Sequence, residues 1–173
     1  MPLNNGDYKT VEEKIAATLL ADTGEGGLRE GLNPPVAAVA AGGAERARSL
    51  AQAEFPAILV RAVAKKETPA APAYAVLKTF TIEAVVLDRA MDRQAAEDSV
   101  RRIAARLEEL LREQTATDKQ FLGLPDEIAG AEGVLVSTIT ETRLPASEAQ
   151  SDRVIARAIV EASIQVPCAF RYE

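Results

Sequence analysis

Leu77-Lys78-Thr79-Phe80-Thr81-Ile82-Glu83-Ala84-Val85-Val86-Leu87 is the stretch from which the fold is read. It is rich in β-branched and aromatic residues, which suit a pleated, half-buried surface. Phe80, Ile82 and Ala84 share one face, and Thr79, Thr81 and Glu83 share the other, a period of two that marks a strand. The period then changes. Asp92 can cap a helix by accepting from its first free N–H groups, and Val100, Ile103, Leu107 and Leu110 recur at helical spacing. The outer face of this helix, residues 92–114, sets Glu97 before Arg101, Asp98 before Arg102 and Glu108 before Arg112. Each of these i,i+4 pairs contributes about 0.3 kcal/mol. The apolar face must be covered, and the strand that precedes the helix is the nearest cover.

Upstream, Phe55-Pro56 introduces Ala57-Ile58-Leu59-Val60-Arg61-Ala62-Val63, a second strand candidate. Between the two strands lies Lys65-Lys66-Glu67-Thr68-Pro69-Ala70-Ala71-Pro72, charged and proline-rich. An antiparallel hairpin with a long loop at 65–74 is the economical reading. Thr10-Val11-Glu12-Glu13 has the form of a capping box, and Val11, Ile15, Leu19 with Ala16 and Leu20 form an apolar stripe, which predicts a helix over 10–22. Thr23-Gly24 would end it. Residues 24–35 have loop composition, 36–41 fit either a short strand or a helical turn, and 44–53 predict a short, exposed helix with Leu50 as its large apolar residue.

Downstream, 115–132 and 143–152 read as loops, and Gly133 to Thr142 as a third strand. The chain closes on Ala158, Val160, Ala162, Ile164, Val166, Cys168, Phe170 and Tyr172 alternating with Ile159, Glu161, Ser163, Gln165, Pro167, Ala169 and Arg171, the longest strand pattern in the sequence. Pro167 cannot donate to a ladder, so an edge or a bulge is expected there. The sum is one α+β domain: a mostly antiparallel four-stranded sheet of two hairpins, with the long central helix and the N-terminal helix packed on one face.

The totals narrow the chemistry. At 173 residues and 47% hydrophobic, the chain can build a substantial core, and with aromatics at 4% that core is thin and aliphatic. A net charge of −6 argues against a general nucleic-acid binder. Residues 1–7 carry neither a basic segment nor an apolar core, so no signal peptide is expected, and no run approaches the roughly 20 apolar residues of a membrane span. Cys168 has no second cysteine to pair with, which fits a reducing compartment and a cytosolic site of synthesis. Histidine is absent, which removes the commonest general base and the usual zinc ligand.

The remaining candidates read as ordinary structure. Cys168 is a small residue on the inward register of its strand rather than a nucleophile. Asp126-Glu127 and Glu12-Glu13 have no partner at metal or acid–base spacing. Gly24-Glu25-Gly26-Gly27 follows a helix and lacks the lysine and hydroxyl of a phosphate loop. Arg101-Arg102 and Arg106 have local acids and read as a salt-bridged face. No catalytic residue, cofactor or metal site is expected. Two features invite a contact reading instead: the long loop at 65–74 and a final strand with an open edge. An ordinary loop and a quiet edge are the plain alternative.

The N-terminal helix, the strand opening Phe55-Pro56-Ala57-Ile58, the strand Thr79 to Val86, the long amphipathic helix and the closing Ala162-Ser163-Ile164-Gln165-Val166-Pro167-Cys168-Ala169-Phe170-Arg171-Tyr172 together resemble the tail terminator proteins of tailed bacteriophages. The likeness is one of pattern over most of residues 8–172, and 24–54 depart from its simplest form. The resemblance implies a mixed α/β fold and a ring, usually of about six subunits. Such a ring caps the tail tube, stops its polymerisation and faces the head connector. It implies a protein of the virion tail or neck, made in the host cytoplasm, whose partners are itself, the tail tube protein and the head–tail connector. Its contacts would be sought in the loops at 65–74 and 143–152 and along the last strand, with Lys65, Lys66, Glu67, Arg143, Glu148 and Arg171 as candidates. A small dimeric α+β ligand-binding or regulatory domain is the second expectation, and an enzyme working with carboxylates alone the third.

Overall fold

The computed structural model describes residues 6–70, 75–117 and 136–169. Helix α1 (Gly6–Leu20) leads through a loop to the short strand β1 (Ala38–Ala41), helix α2 (Ala44–Ser49) and a 3-10 turn at Gln52–Glu54. Strands β2 (Ala57–Ala70) and β3 (Ala75–Ala90) follow, then helix α3 (Arg93–Thr117) and strands β4 (Val136–Arg143), β5 (Glu148–Gln150) and β6 (Arg153–Ala169). The strands form one mixed sheet in the order β1-β2-β3-β6-β4, with β5 beside β6. The α+β class expected from sequence is the class observed.

The period-two stretch builds the centre of the sheet. Phe80, Ile82, Ala84 and Val86 of β3 and Ala156, Ala158, Val160, Ala162 and Ile164 of β6 are buried on one face. Val11, Ile15 and Leu19 of α1 and Val100, Ile103, Leu107 and Leu110 of α3 pack onto that face in a single core cluster. Burying each large aliphatic side chain there contributes about 1.5–3 kcal/mol. Asp92 caps α3 as expected, its Oδ2 accepting from the Ala95 N–H at 3.0 Å.

Helix α1 begins at Gly6, so Thr10 lies inside it and does not cap it. The early turn places Tyr8 edge-on to Phe80, with ring centroids 6.3 Å apart. Leu20 departs from the expected stripe and is exposed. Residues 21–37 are pinned rather than loose. Leu28 and Val36 are buried, the Val36 N–H donates to the Leu28 carbonyl at 2.8 Å, and Arg29 Nη1 donates to the carbonyls of Val36 and Ala37. Asp22 anchors the start of the loop. Its Oδ2 accepts from the Leu28 N–H at 2.8 Å, and Arg106 of α3 donates to both its oxygens at 2.8 and 3.1 Å. Arg106 therefore serves a long-range tether as well as its local partner Glu109, rather than a purely local salt-bridged face.

Several expectations are corrected. The sheet has six strands, not four, and is mixed, because residues 38–41 form a strand parallel to Ala57–Val60. The N-terminal and central helices share one face as expected, while α2 lies on the other side, beside a second cluster of Leu50, Ala57, Leu59 and Leu87. The predicted helix over 44–53 splits after Ser49 because Leu50 turns extended, with ψ 127°. The loop at 65–74 is mostly strand: β2 continues to Ala70 and pairs with β3 from Ala57 with Leu87 to Ala70 with Ala75, with one register shift at Ala62/Ala64. Lys65, Lys66, Glu67, Pro69 and Ala70 are poor strand formers, and the segment is held in the sheet by its pairing with β3. The segment 143–152 likewise holds the end of β4 and all of β5.

The last strand is interior, not an edge. β6 pairs along its length with β3 and on its other side with β4 and β5. Its unbroken alternation reflects burial between two neighbours. Pro167 lies beyond the last described β4 pairing, Val136 with Gln165, so its missing N–H breaks no described bond there. The predicted loop at 115–132 falls, from 118 onward, outside the described residues, as do Arg171 and Asp126-Glu127.

Candidate functional site

Two places on the sheet stand out. The first is the arm made by the far half of the β2–β3 hairpin. β1 covers the outer edge of β2 only as far as Val60. At the next residues Glu12 of α1 takes over, its Oε1 accepting from the Ala62 N–H at 2.9 Å. Beyond that point β2 has no strand neighbour on its outer side among the described residues. A bulge between Ala62 and Ala64 swings Val63 out, and Pro69 removes a donor near the tip. Bulges, prolines and charged side chains are the usual means of stopping an open edge from pairing with any passing strand.

The second is a groove of about 550 Å³ on the sheet face opposite α1 and α3. Leu59, Val85, Leu87, Ile155 and Ile159 give it an apolar floor, α2 and Gly42-Gly43 form one wall, and Gln150 of β5 stands on the other side. Register explains its charges. Glu83 on β3 lies opposite Arg61 on β2 and opposite Glu161 on β6, and like charges facing across a ladder are unfavourable. The cost is offset by two arginines. Arg61 donates from Nε and Nη2 to Glu83 Oε2 at 3.0 and 2.7 Å, and Arg143 reaches Oε1 at 3.0 Å. Glu83 is only 13% exposed, so this three-residue array is fixed more firmly than a surface ion pair. Glu161 accepts instead from the Thr140 hydroxyl at 2.8 Å. Arg157 and Arg48 also line the groove.

The residues singled out from sequence divide between these places. Lys65 lies on the α1 side of the arm with its Nζ 5.6 Å from the centre of the Tyr8 ring and 3.6 Å from Glu67. Lys66 and Glu67 are exposed on the same strand. Arg143 belongs to the groove. Glu148 on β5 is paired with Arg157 at 3.1 Å, which brings it to the groove's margin. Arg48, Arg61, Glu83 and Arg157 were not foreseen. Glu83 was legible only as a polar-face residue, and Arg61 becomes its partner once the hairpin register is known. Arg48 and Arg157 gave no signal in the sequence.

Among the described residues, no group of three or more Asp, Glu, Cys or His side chains could hold a metal ion, and no helix is long and apolar enough to cross a membrane. No protein-family model matches the chain, and no curated protein matches it.

Proposed function

We propose that this chain is a structural assembly protein of the phage tail-terminator kind. Copies would join into a ring of about six subunits that seats on the end of the tail tube, ends its polymerisation and offers a surface to the head connector. The observation that supports this best is the β2–β3 arm: strands of 14 and 16 residues whose outer edge has no strand neighbour past Val60 among the described residues. The bulge, the proline and the charges guard that edge against an added strand, so contact through the arm would use its exposed side chains. Lys66 and Glu67 stand exposed on that arm and are its contact candidates. Arg143 and Glu148 mark a second contact region at the other side of the sheet. The protein would then belong to the virion tail or neck.

The arm can be tested directly. Replacing residues 66–79 by a two-residue hairpin turn should leave the core intact, because Phe80, Ile82 and the helix stripes are kept. Circular dichroism should show a cooperative melt, while ring formation and tube-end binding are lost. Normal tail completion by the shortened protein would refute the role given to the arm. The groove favours a second reading, a small dimeric ligand-binding or regulatory domain, for which its volume lies within the range of about 300–1,000 Å³ typical of ligand sites.

A further inference from the structure

We propose that the groove on the second face of the sheet binds an acidic peptide segment of a partner protein, one that carries an apolar side chain between carboxylates. The proposal is independent of ring formation. A monomer that bound such a segment would keep this inference and lose the other.

Charge complementarity is the first argument. The chain as a whole carries −6, yet the groove is lined by Arg48, Arg61, Arg143 and Arg157 against the single carboxylate of Glu83. Glu141 and Glu148 offset part of that charge from the rim, where both are more than half exposed, so the interior of the groove stays positive. A field of one sign over a low-dielectric floor concentrates ligands of the other sign. The cations are also available to different degrees. Arg61 and Arg143 already hold Glu83. Among the described residues Arg157 is tied to Glu148 alone, which is 65% exposed, so that pair is weak and easily exchanged. Arg48 makes no ion pair among the described residues.

Placement is the second argument. The Arg61 and Arg143 guanidiniums converge from β2 and β4 on the one Glu83 carboxylate. Arg48 lies on α2 and Arg157 on β6. Arg48 and Arg157 are not part of that array, so an extended chain with several carboxylates can meet cations presented from α2, β2, β4 and β6 together. The floor supplies the third argument. Leu59, Val85 and Ile159 would seat an aliphatic side chain, the anchor that an interface needs at its centre. Phosphodiester chains fit less well, since the floor is aliphatic and Phe55 is the only aromatic in the lining, already facing the Arg89 guanidinium at 5.7 Å.

The test uses the full chain and a fluorescein-labelled synthetic peptide, Glu-Asp-Leu-Glu-Val-Asp-Glu, followed by fluorescence anisotropy. Saturable binding is expected, with an affinity that weakens as salt rises from about 50 to 300 mM. The same peptide with Gln and Asn in place of its acids should bind at least about 10-fold more weakly. Arg48→Ala and Arg157→Ala should each cost about 5-fold, while Lys66→Ala on the arm changes nothing. Glu83→Gln carries the sharpest sign. It releases Arg61 and Arg143 from their internal carboxylate and should tighten binding by about 3-fold or more, an effect that simple loss of structure cannot produce. No saturable binding of the acidic peptide, equal binding of the neutral peptide, indifference to Arg48 and Arg157, or weaker binding by Glu83→Gln would overturn the proposal. Tighter binding of a labelled oligothymidylate would assign the groove to nucleic acid instead. A concentration-dependent dimer dissolved by Arg48→Ala would assign it to a second copy of the chain.

Discussion

Asp22 joins α1, the loop that follows it and α3 through one carboxylate, and removing it should loosen all three. Its side chain is 9% exposed, accepts from the Leu28 N–H and is forked by Arg106, which is 23% exposed. A hydrogen bond to a charged group contributes about 1.5–3 kcal/mol, and Arg106 retains Glu109 and some water when Asp22 is lost. Asp22→Ala should therefore cost about 2 kcal/mol, or about 4–8 °C in Tm for a chain of this size. Asp22→Asn keeps an oxygen for the Leu28 N–H and should cost about half as much. In a double-mutant cycle with Arg106→Ala the coupling should exceed about 1 kcal/mol.

The same carboxylate sets an acid limit. Burial raises its pKa, but the Arg106 hydrogen bonds, the Leu28 N–H and the Arg106 charge together outweigh burial and hold it below the ordinary 3.8. A depressed folded value means that this stabilisation is complete well above 3.8 and is lost as pH falls through the folded value. Urea melts at neutral pH and below pH 3.8 should show the gap between the wild type and Asp22→Asn closing in acid. A cost under about 0.5 kcal/mol for Asp22→Ala, or a gap that widens in acid, would refute the tether.

Further substitutions probe the core, the loop and the edge. Leu107→Ala, at a fully buried site facing the sheet, should cost about 3 kcal/mol in chemical denaturation. Gly31→Ala should cost at least about 2 kcal/mol, because a Cβ there runs into the backbone nitrogens of Gly26 and Gly27. Gly24→Ala, at φ +94° with open space around it, should cost less, about 1 kcal/mol. Glu12→Ala removes the acceptor for the Ala62 N–H and should lower stability by about 1 kcal/mol. Hydrogen exchange should report faster exchange at Ala62 while the β3 amides stay protected.

Local periodicity carried the reading where burial is one-sided. Phe80, Ile82 and Ala84 were assigned to the core face, and Val100, Ile103, Leu107 and Leu110 to the covering stripe, from spacing alone. The same signal failed where strands are polar on both faces. Lys66, Thr68 and Pro69 extend β2 through a ladder that no hydrophobic pattern announces, because β3 supplies the hydrogen bonds. Pro167 is a poor guide to the place of β6, since one proline reports on one N–H and not on the neighbours of the whole strand. The groove lay beyond the sequence for a different reason. Arg61, Glu83, Arg143 and Arg157 are brought together by register across four strands, and neither composition nor spacing encodes that register.

The measurement that bears most directly on the assembly role is the solution mass, by light scattering coupled to size exclusion, with negative-stain images of the main peak taken alone and with assembled tail tubes. A terminator built from this 18.4 kDa chain predicts a species near 110 kDa, about six copies, seen as a ring with a central hole, either free or on tube ends. A clean dimer that leaves tube ends bare, or a monomer that does so, would contradict it.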